Sequence, residues 1–153
     1  MLIGVISDTH GLLRPEALAA LRGVEHILHA GDVGDIAILD ALREIAPVTA
    51  IRGNVDVSGA CGQLPATDVV ELGDRLFYLV HSVHDLDIHP GAAGVDVVVS
   101  GHSHKASVET KGGVMYLNPG SAGPRRFALP VTVGLVATGD DGVKARIVEI
   151  VSG

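Results

Sequence analysis

Five short stretches of this 153-residue chain each place an oxygen or nitrogen ligand directly after an apolar, β-branched run. They are Ser7-Asp8-Thr9-His10, Ala30-Gly31-Asp32, Arg52-Gly53-Asn54, Val80-His81 and Ser100-Gly101-His102-Ser103-His104. Imidazoles, carboxylates and an amide oxygen, with no cysteine among them, form a donor set for divalent first-row metals. Imidazole suits Mn, Fe, Ni and Zn, while the carboxylates add hard oxygen donors. Two such ions sharing a carboxylate lower the pKa of a bound water, so the predicted chemistry is attack by a metal-activated hydroxide.

Each stretch also has a plain structural reading. Asp8-x-His10 is an ordinary polar loop pair. Asp32 after Gly31 can cap a following helix, although Asp35 is better placed for that, and Asn54 after Gly53 suits an Asx turn. His102 and His104 are the strongest local feature. Val95-Asp96-Val97-Val98-Val99 delivers them from a buried run, and two histidines one residue apart can each face a different ion of a close pair. His81 ends a similar run, while the nearby His84, Asp85, Asp87 and His89 are expected to face solvent or to stand at one remove from the ligands. All five stretches would have to be structural together for the metal reading to fail.

The elements that position them follow from periodicity. Leu2 to Ile6 reads as a strand buried on both faces and ends where Asp8 begins. Pro15 to Leu21 reads as a helix with proline in its first turn. The unit repeats with His26 to Ala30 as strand, Gly31 to Gly34 as loop, Asp35 as N-cap and Ile36 to Ala46 as helix before Pro47. Val48 to Ile51 makes a third strand, and residues 57–68 read as one long loop. Later strands are expected over Arg75 to Val80, Val95 to Ser100, Val114 to Leu117, Val131 to Thr138 and Val143 to Val151, with a hairpin turn at Gly139-Asp140-Asp141-Gly142. A βαβα start and a strand-rich end predict an α/β four-layer sandwich over residues 1–153, one domain in which two mixed β-sheets are flanked by helices. The metal site belongs at the C-terminal ends of strands.

Composition narrows the partners. Hydrophobic residues make up 47% of the chain but aromatic residues only 3%, with no tryptophan, which argues against a base-stacking platform. A formal net charge of -7 repels polyanions and argues against general nucleic-acid binding. No apolar stretch reaches the roughly 20 residues of a membrane span. The lone Cys61 reads as a loop or small-core residue, and with no visible leader the expected location is the reducing cytoplasm. The sequence leaves the oligomeric state open.

In order and spacing, Asp8-x-His10, Gly31-Asp32, Gly53-Asn54-x-Asp56, His81 and Gly101-His102-x-His104 resemble the blocks of the calcineurin-like metallophosphoesterase superfamily. The similarity is greatest to its small single-domain phosphodiesterases from bacteria and archaea. It runs through Asn118-Pro119-Gly120-Ser121 into the final hairpin. The resemblance implies two divalent ions per chain, one on Asp8, His10, Asp32 and His104 and the other on Asp32, Asn54, His81 and His102, with Asp32 bridging. Manganese is the expected ion, with Ni, Zn, Fe and Mg as alternatives. Asp56 and His84 are placed at one remove from the ions. Two departures stand out: Val55 occupies the place where larger members carry a phosphate-contacting, proton-donating histidine, and His81-Ser82-Val83-His84 replaces a His-Gly-His block.

The expected reaction is hydrolysis of a small phosphodiester by a hydroxide bridging the two ions. Two divalent cations less Asp8, Asp32 and hydroxide leave roughly one positive charge. A diester monoanion neutralises that charge; a monoester dianion overshoots it unless Arg125 or Arg126 compensates. Without the usual histidine, the leaving-group proton comes from water or His84, which favours good leaving groups. The alternative is a non-catalytic scaffold of the same fold for protein-protein interaction, against which the intact ligand blocks argue. A metallo-β-lactamase-type site would need His-x-His-x-Asp-His, and His102-Ser103-His104-Lys105-Ala106-Ser107 departs from it.

Overall fold

Leu2–Ile6 (β1) has no charged side chain and occupies the centre of a five-stranded sheet. The computed structural model describes residues 1–151; the last two residues of the 1–153 span lie outside the described residues. In this first sheet β1 lies parallel to His26–His29 (β2), which in turn pairs in parallel with Val48–Ala50 (β3). On its other side β1 runs antiparallel to Val131–Gly139 (β9), and Gly142–Val151 (β10) completes the edge. Asp140-Asp141 forms the predicted two-residue turn between β9 and β10.

The second sheet has Arg75–Val80 (β5), Val97–Val99 (β6) and Val114–Asn118 (β8) in parallel at its centre. Thr67–Leu72 (β4) and Ser107–Lys111 (β7) pair antiparallel at its two edges. Alternation sets the faces of β5: Phe77 and Leu79 point between the sheets, where they meet Ile3, Val5 and Leu28, while Tyr78 and Val80 point outward. Truncating a side chain such as Phe77, fully buried here, costs about 3–5 kcal/mol.

Helices Pro15–Ala20 (α1) and Ile36–Arg43 (α2) cover the outer face of the first sheet through Ala17, Leu21, Ile38, Leu39 and Leu42. Asp35 caps α2 as expected, accepting the Ala37 N–H at 2.9 Å. The helix ends at Arg43 rather than at Ala46, and a closing turn in which the Ile45 and Ala46 N–H groups donate to Leu42 O carries the chain to Pro47. Long helices are absent from the second half among the described residues. The fourth layer, over the outer face of the second sheet, is segment 83–95 with a single 3-10 turn at Val83–Asp85, and it packs Leu86 and Ile88 against Tyr78.

Two expectations are corrected. Residues 57–68 are not one loop: Gly59–Gly62 (α3) is helical, burying Cys61 in the core beneath the helices, and β4 begins at Thr67. Edge strands β4 and β7 also lay outside the predicted set. Among the described residues, no helix is long and apolar enough to cross a membrane.

Candidate metal centre

The ligand residues all follow strands of the two sheets, and the packing of the sheets brings them together. Asp8 and His10 follow β1, Asp32 follows β2 and Asn54 follows β3; His81 follows β5, and His102 and His104 follow β6. Ligand atoms of Asp8, His10 and His104 lie within 4.8 Å of one another, as do those of Asp32, His81 and His102. In the first group, His10 Nε2 and His104 Nε2 stand 3.7 and 3.5 Å from Asp8 Oδ1. Asp32 joins the two groups, since its Oδ2 is 3.4 Å from His10 Nε2 and 3.2 Å from His81 Nε2. Asn54 Oδ1 completes the second group, 3.1 Å from His81 Nε2 and 3.2 Å from His102 Nδ1.

The backbone reaches this arrangement under strain. Asp8, His10, Asp32, His102 and His104 all have positive φ, between 47° and 71°, a region that L-residues avoid at a cost of order 1–3 kcal/mol each. Backbone hydrogen bonds between the loops hold them there: Asp8 N–H to Gly31 O at 3.0 Å, His10 N–H to Asp32 O at 2.9 Å and Gly101 N–H to His81 O at 2.8 Å. Close approach also demands glycine. A Cβ on Gly53 would strike the Asp32 backbone nitrogen and carboxylate, and one on Gly101 would strike Ser7 Oγ and Asp8 Oδ2.

Each carboxylate is divided between two tasks. Asp8 Oδ2 accepts from the Ser7 hydroxyl at 2.6 Å and the His102 N–H at 3.0 Å, leaving Oδ1 aimed at the histidines. Asp32 Oδ1 accepts from Val55 N–H at 3.0 Å, leaving Oδ2 aimed likewise. Asp56 is a clamp rather than a ligand, accepting from Val33, Gly34 and Gly53 N–H groups at 2.9–3.0 Å. Asn118 Nδ2 donates to Gly101 O and Ser103 Oγ, and Ser121 Oγ donates to Asp8 O, so the Asn118-Pro119-Gly120-Ser121 block braces the loops that carry Asp8, His102 and His104.

The donor set fits a cation. His81 Nδ1 is 2.7 Å from the Ala30 carbonyl, which can only accept, so Nδ1 carries a proton and the neutral form of the ring turns its Nε2 lone pair into the site. That lone pair faces Asp32 Oδ2 and Asn54 Oδ1, two further acceptors, at 3.2 and 3.1 Å. Three acceptors that close repel one another unless positive charge lies between them. Asp8 Oδ1 and His10 Nε2 are likewise buried without a hydrogen-bond partner, as is His104 Nδ1.

The same groups are tied to one another through their ionisation equilibria. Burial opposes charge on Asp32, yet His81 and the Val55 N–H, with His10, hold its carboxyl down to about 2. Burial would lower His81, but Asp32, Ala30 O and Asp8 keep its pKa above the ordinary histidine value. Asp8 is raised by burial against the pull of Ser7 and the histidines, and His104 is lowered by burial, with Arg126 and His10 adding to the effect.

Family comparison accounts for the same residues. The calcineurin-like phosphoesterase superfamily domain matches residues 1–141. The chain belongs to the calcineurin-like phosphoesterase superfamily. It is 34% identical to a probable metallophosphoesterase of Methanocaldococcus jannaschii, covering 98% of this chain and 82% of that one. It is 27% identical to a phosphodiesterase of the same organism, over 90% of this chain and 93% of the relative. Among solved structures, wild-type Vps29 of Entamoeba histolytica complexed with zinc superposes with a TM-score of 0.73 at 26% identity, covering 98% of this chain and 99% of that one. Membership in the superfamily supports a hydrolase with sites for divalent metal ions.

Beside the centre of this calcineurin-like phosphoesterase, an open cleft of about 660 Å³ is lined by Asn54, His81 and His102 together with Arg52, His84, Asp85 and Asp87. His84 therefore borders the cleft but belongs to neither ligand group. Arg125 is exposed and donates to Val151 O, whereas Arg126 lies near enough to His104 to disfavour its protonation. The sequence reading missed His29. This fully buried ring accepts the Gly31 N–H on Nδ1 and donates from Nε2 to Thr9 Oγ1, whose own proton goes to Val33 O. It ties the two loops carrying Asp8 and Asp32, and its only signal was a histidine ending a strand just before Ala30-Gly31-Asp32.

Proposed function

We propose that this chain is a phosphodiesterase that holds two divalent ions, one on Asp8, His10, Asp32 and His104 and the other on Asp32, Asn54, His81 and His102. The observation that carries the reading is the position of Asp32 Oδ2, 3.4 Å from a ring nitrogen of one group and 3.2 Å from a ring nitrogen of the other, where a shared carboxylate belongs. When bound, two such ions supply an activated water and Lewis-acid polarisation of the phosphoryl group. The protein's own residues set the orientation. Ala30 O fixes the His81 tautomer, and Ser7 and His102 N–H fix Asp8. The Asn54 amide, with its oxygen turned to the second group, keeps an NH₂ to donate to a phosphoryl oxygen. Val55 supplies no proton, so leaving groups of low pKa are favoured.

The charge balance supports a monoanionic diester over a dianionic monoester, and the 27% identical phosphodiesterase agrees with that choice. Manganese is the expected ion and a small phosphodiester the expected partner. Likeness to Vps29 makes a binding scaffold the competing outcome. Metal-depleted protein reconstituted separately with Mn, Ni, Zn and Mg, then supplied with an aryl diester and the matching aryl monoester, tests the reading. The diester should turn over faster, best with Mn or Ni. Equal or faster monoester hydrolysis overturns the substrate class, and no turnover with any ion favours the scaffold.

A further inference from the structure

The loop that presents Asn54 is held to the rest of the site by one side chain. Between Arg52 and Ala60 only Asp56 is buried, at 3% exposure, while Asn54 itself is exposed. The strands release this loop early: Ile51 N–H still donates to His29 O at 3.2 Å, but beyond it, among the described residues, no backbone hydrogen bond joins residues 30–34 to residues 52–56. Two carboxylates make the connection instead. Asp32 Oδ1 takes the Val55 N–H, and Asp56 takes the Val33 N–H on Oδ2 and the Gly34 N–H on Oδ1, with Gly53 N–H of its own loop also on Oδ2. Asp32 belongs to the ligand set, so Asp56 is the connection that lies outside it. The other side of the Asp32 loop is held differently. Asp8, His10 and Gly11 N–H groups donate to the Gly31, Asp32 and Val33 carbonyls at 2.9–3.0 Å, and the Thr9 hydroxyl adds a bond to Val33 O.

We propose that Asp56 is a positioning residue that selectively sets the affinity of the second ion, by holding the Asn54 loop against the Asp32 loop. The inference rests on the two-ion reading above. Asn54 Oδ1 must stay within reach of His81 Nε2 and His102 Nδ1, which it meets at 3.1 and 3.2 Å. A neutral amide brings no net charge to draw an ion toward it, so its worth as a ligand depends on placement. The first group has no such dependence, because four hydrogen bonds that bypass Asp56 keep the Asp8-His10 loop on the Asp32 loop. Three converging N–H groups also explain why the clamp is a carboxylate. An ionised acceptor strengthens each bond, whereas an amide has one oxygen and would turn its NH₂ on one of the donors.

Calorimetric titration of metal-depleted protein with Mn resolves the two affinities without recourse to turnover. Asp56→Ala should keep the first within about twofold of wild type and weaken the second by about 10- to 100-fold, the scale on which residues that orient ligands act. Low-temperature EPR at two equivalents reads the same division: the exchange-coupled signal of a pair in wild type, the signal of isolated Mn in the variant. Formate, a carboxylate that can accept the vacated N–H groups, should restore part of the second affinity in Asp56→Ala and leave wild type unchanged. Should Asp56→Ala not fold, Asp56→Asn, which keeps the shape, should show the same selective loss in milder form. Leu39→Ala, which opens the core under α2, is the control for stability alone, and should lower the melting temperature while keeping both affinities. Two ions bound as tightly as in wild type, equal weakening of both in the Asp56 variants, or the same loss in Leu39→Ala overturns the inference and leaves the two-ion reading intact. A single ion on wild type refutes that reading and the inference with it.

Discussion

Asp32 and His84 mark the two extremes of residue-level importance. Asp32 faces ring nitrogens of both ligand groups, whereas His84 only borders the cleft. Asp32→Asn keeps the shape but halves the donor capacity at the shared position, so both ions should be lost together and diester turnover should fall by more than about 100-fold. His84→Ala should cost about tenfold or less, within the range of residues that act through others. Equal damage from the two, measured by metal content and turnover, would make His84 a ligand or the proton donor. His29 acts on stability. Burial pushes its pKa down to about 4, so the folded state binds fewer protons than the unfolded chain between that value and 6.5. The stability it supplies is present above pH 6.5 and is lost as pH falls toward 4, amounting to about 3 kcal/mol. Urea unfolding of metal-free protein between pH 7 and 4 should show this loss in wild type but not in His29→Gln; parallel curves would contradict it.

The loops after the parallel strands are where the sequence was most and least legible. The apolar runs before Asp8, Asp32, His81 and His102 gave both the strands and the ligands they deliver, because a strand buried on both faces must end where charge begins. Strands β4 and β7 were not legible because they bury little: all five residues of Ser107–Lys111 are exposed, and Ser-Val-Glu-Thr-Lys has too little apolar alternation to read. The positive φ of Asp8, His10, Asp32, His102 and His104 was also hidden, since none is glycine and the strain exists only once neighbouring loops impose it. Gly53 tests that constraint. Gly53→Ala should leave strand content and fold intact, shift the Asp32 loop and destabilise the protein by about 1–3 kcal/mol, with metal affinity reduced. Wild-type metal content and melting temperature in this variant would show that the close approach is dispensable.

At the scale of the whole molecule, each ligand group draws on both sheets. Asp8 and His10 of the first group come from one sheet and His104 from the other; Asp32 of the second group meets His81 and His102 across the same divide. The centre therefore exists only when the aliphatic layer of Ile3, Val5, Leu28, Phe77 and Leu79 has packed the sheets face to face. A net charge of -7 over the chain repels polyanions at long range. The most direct test of a shared two-ion centre is to titrate metal-depleted protein with Mn while following hydrolysis of an activated aryl phosphodiester. Activity should stay low through the first equivalent, rise with the second and saturate at two per chain; full activity at one equivalent, or none at any loading, would contradict it.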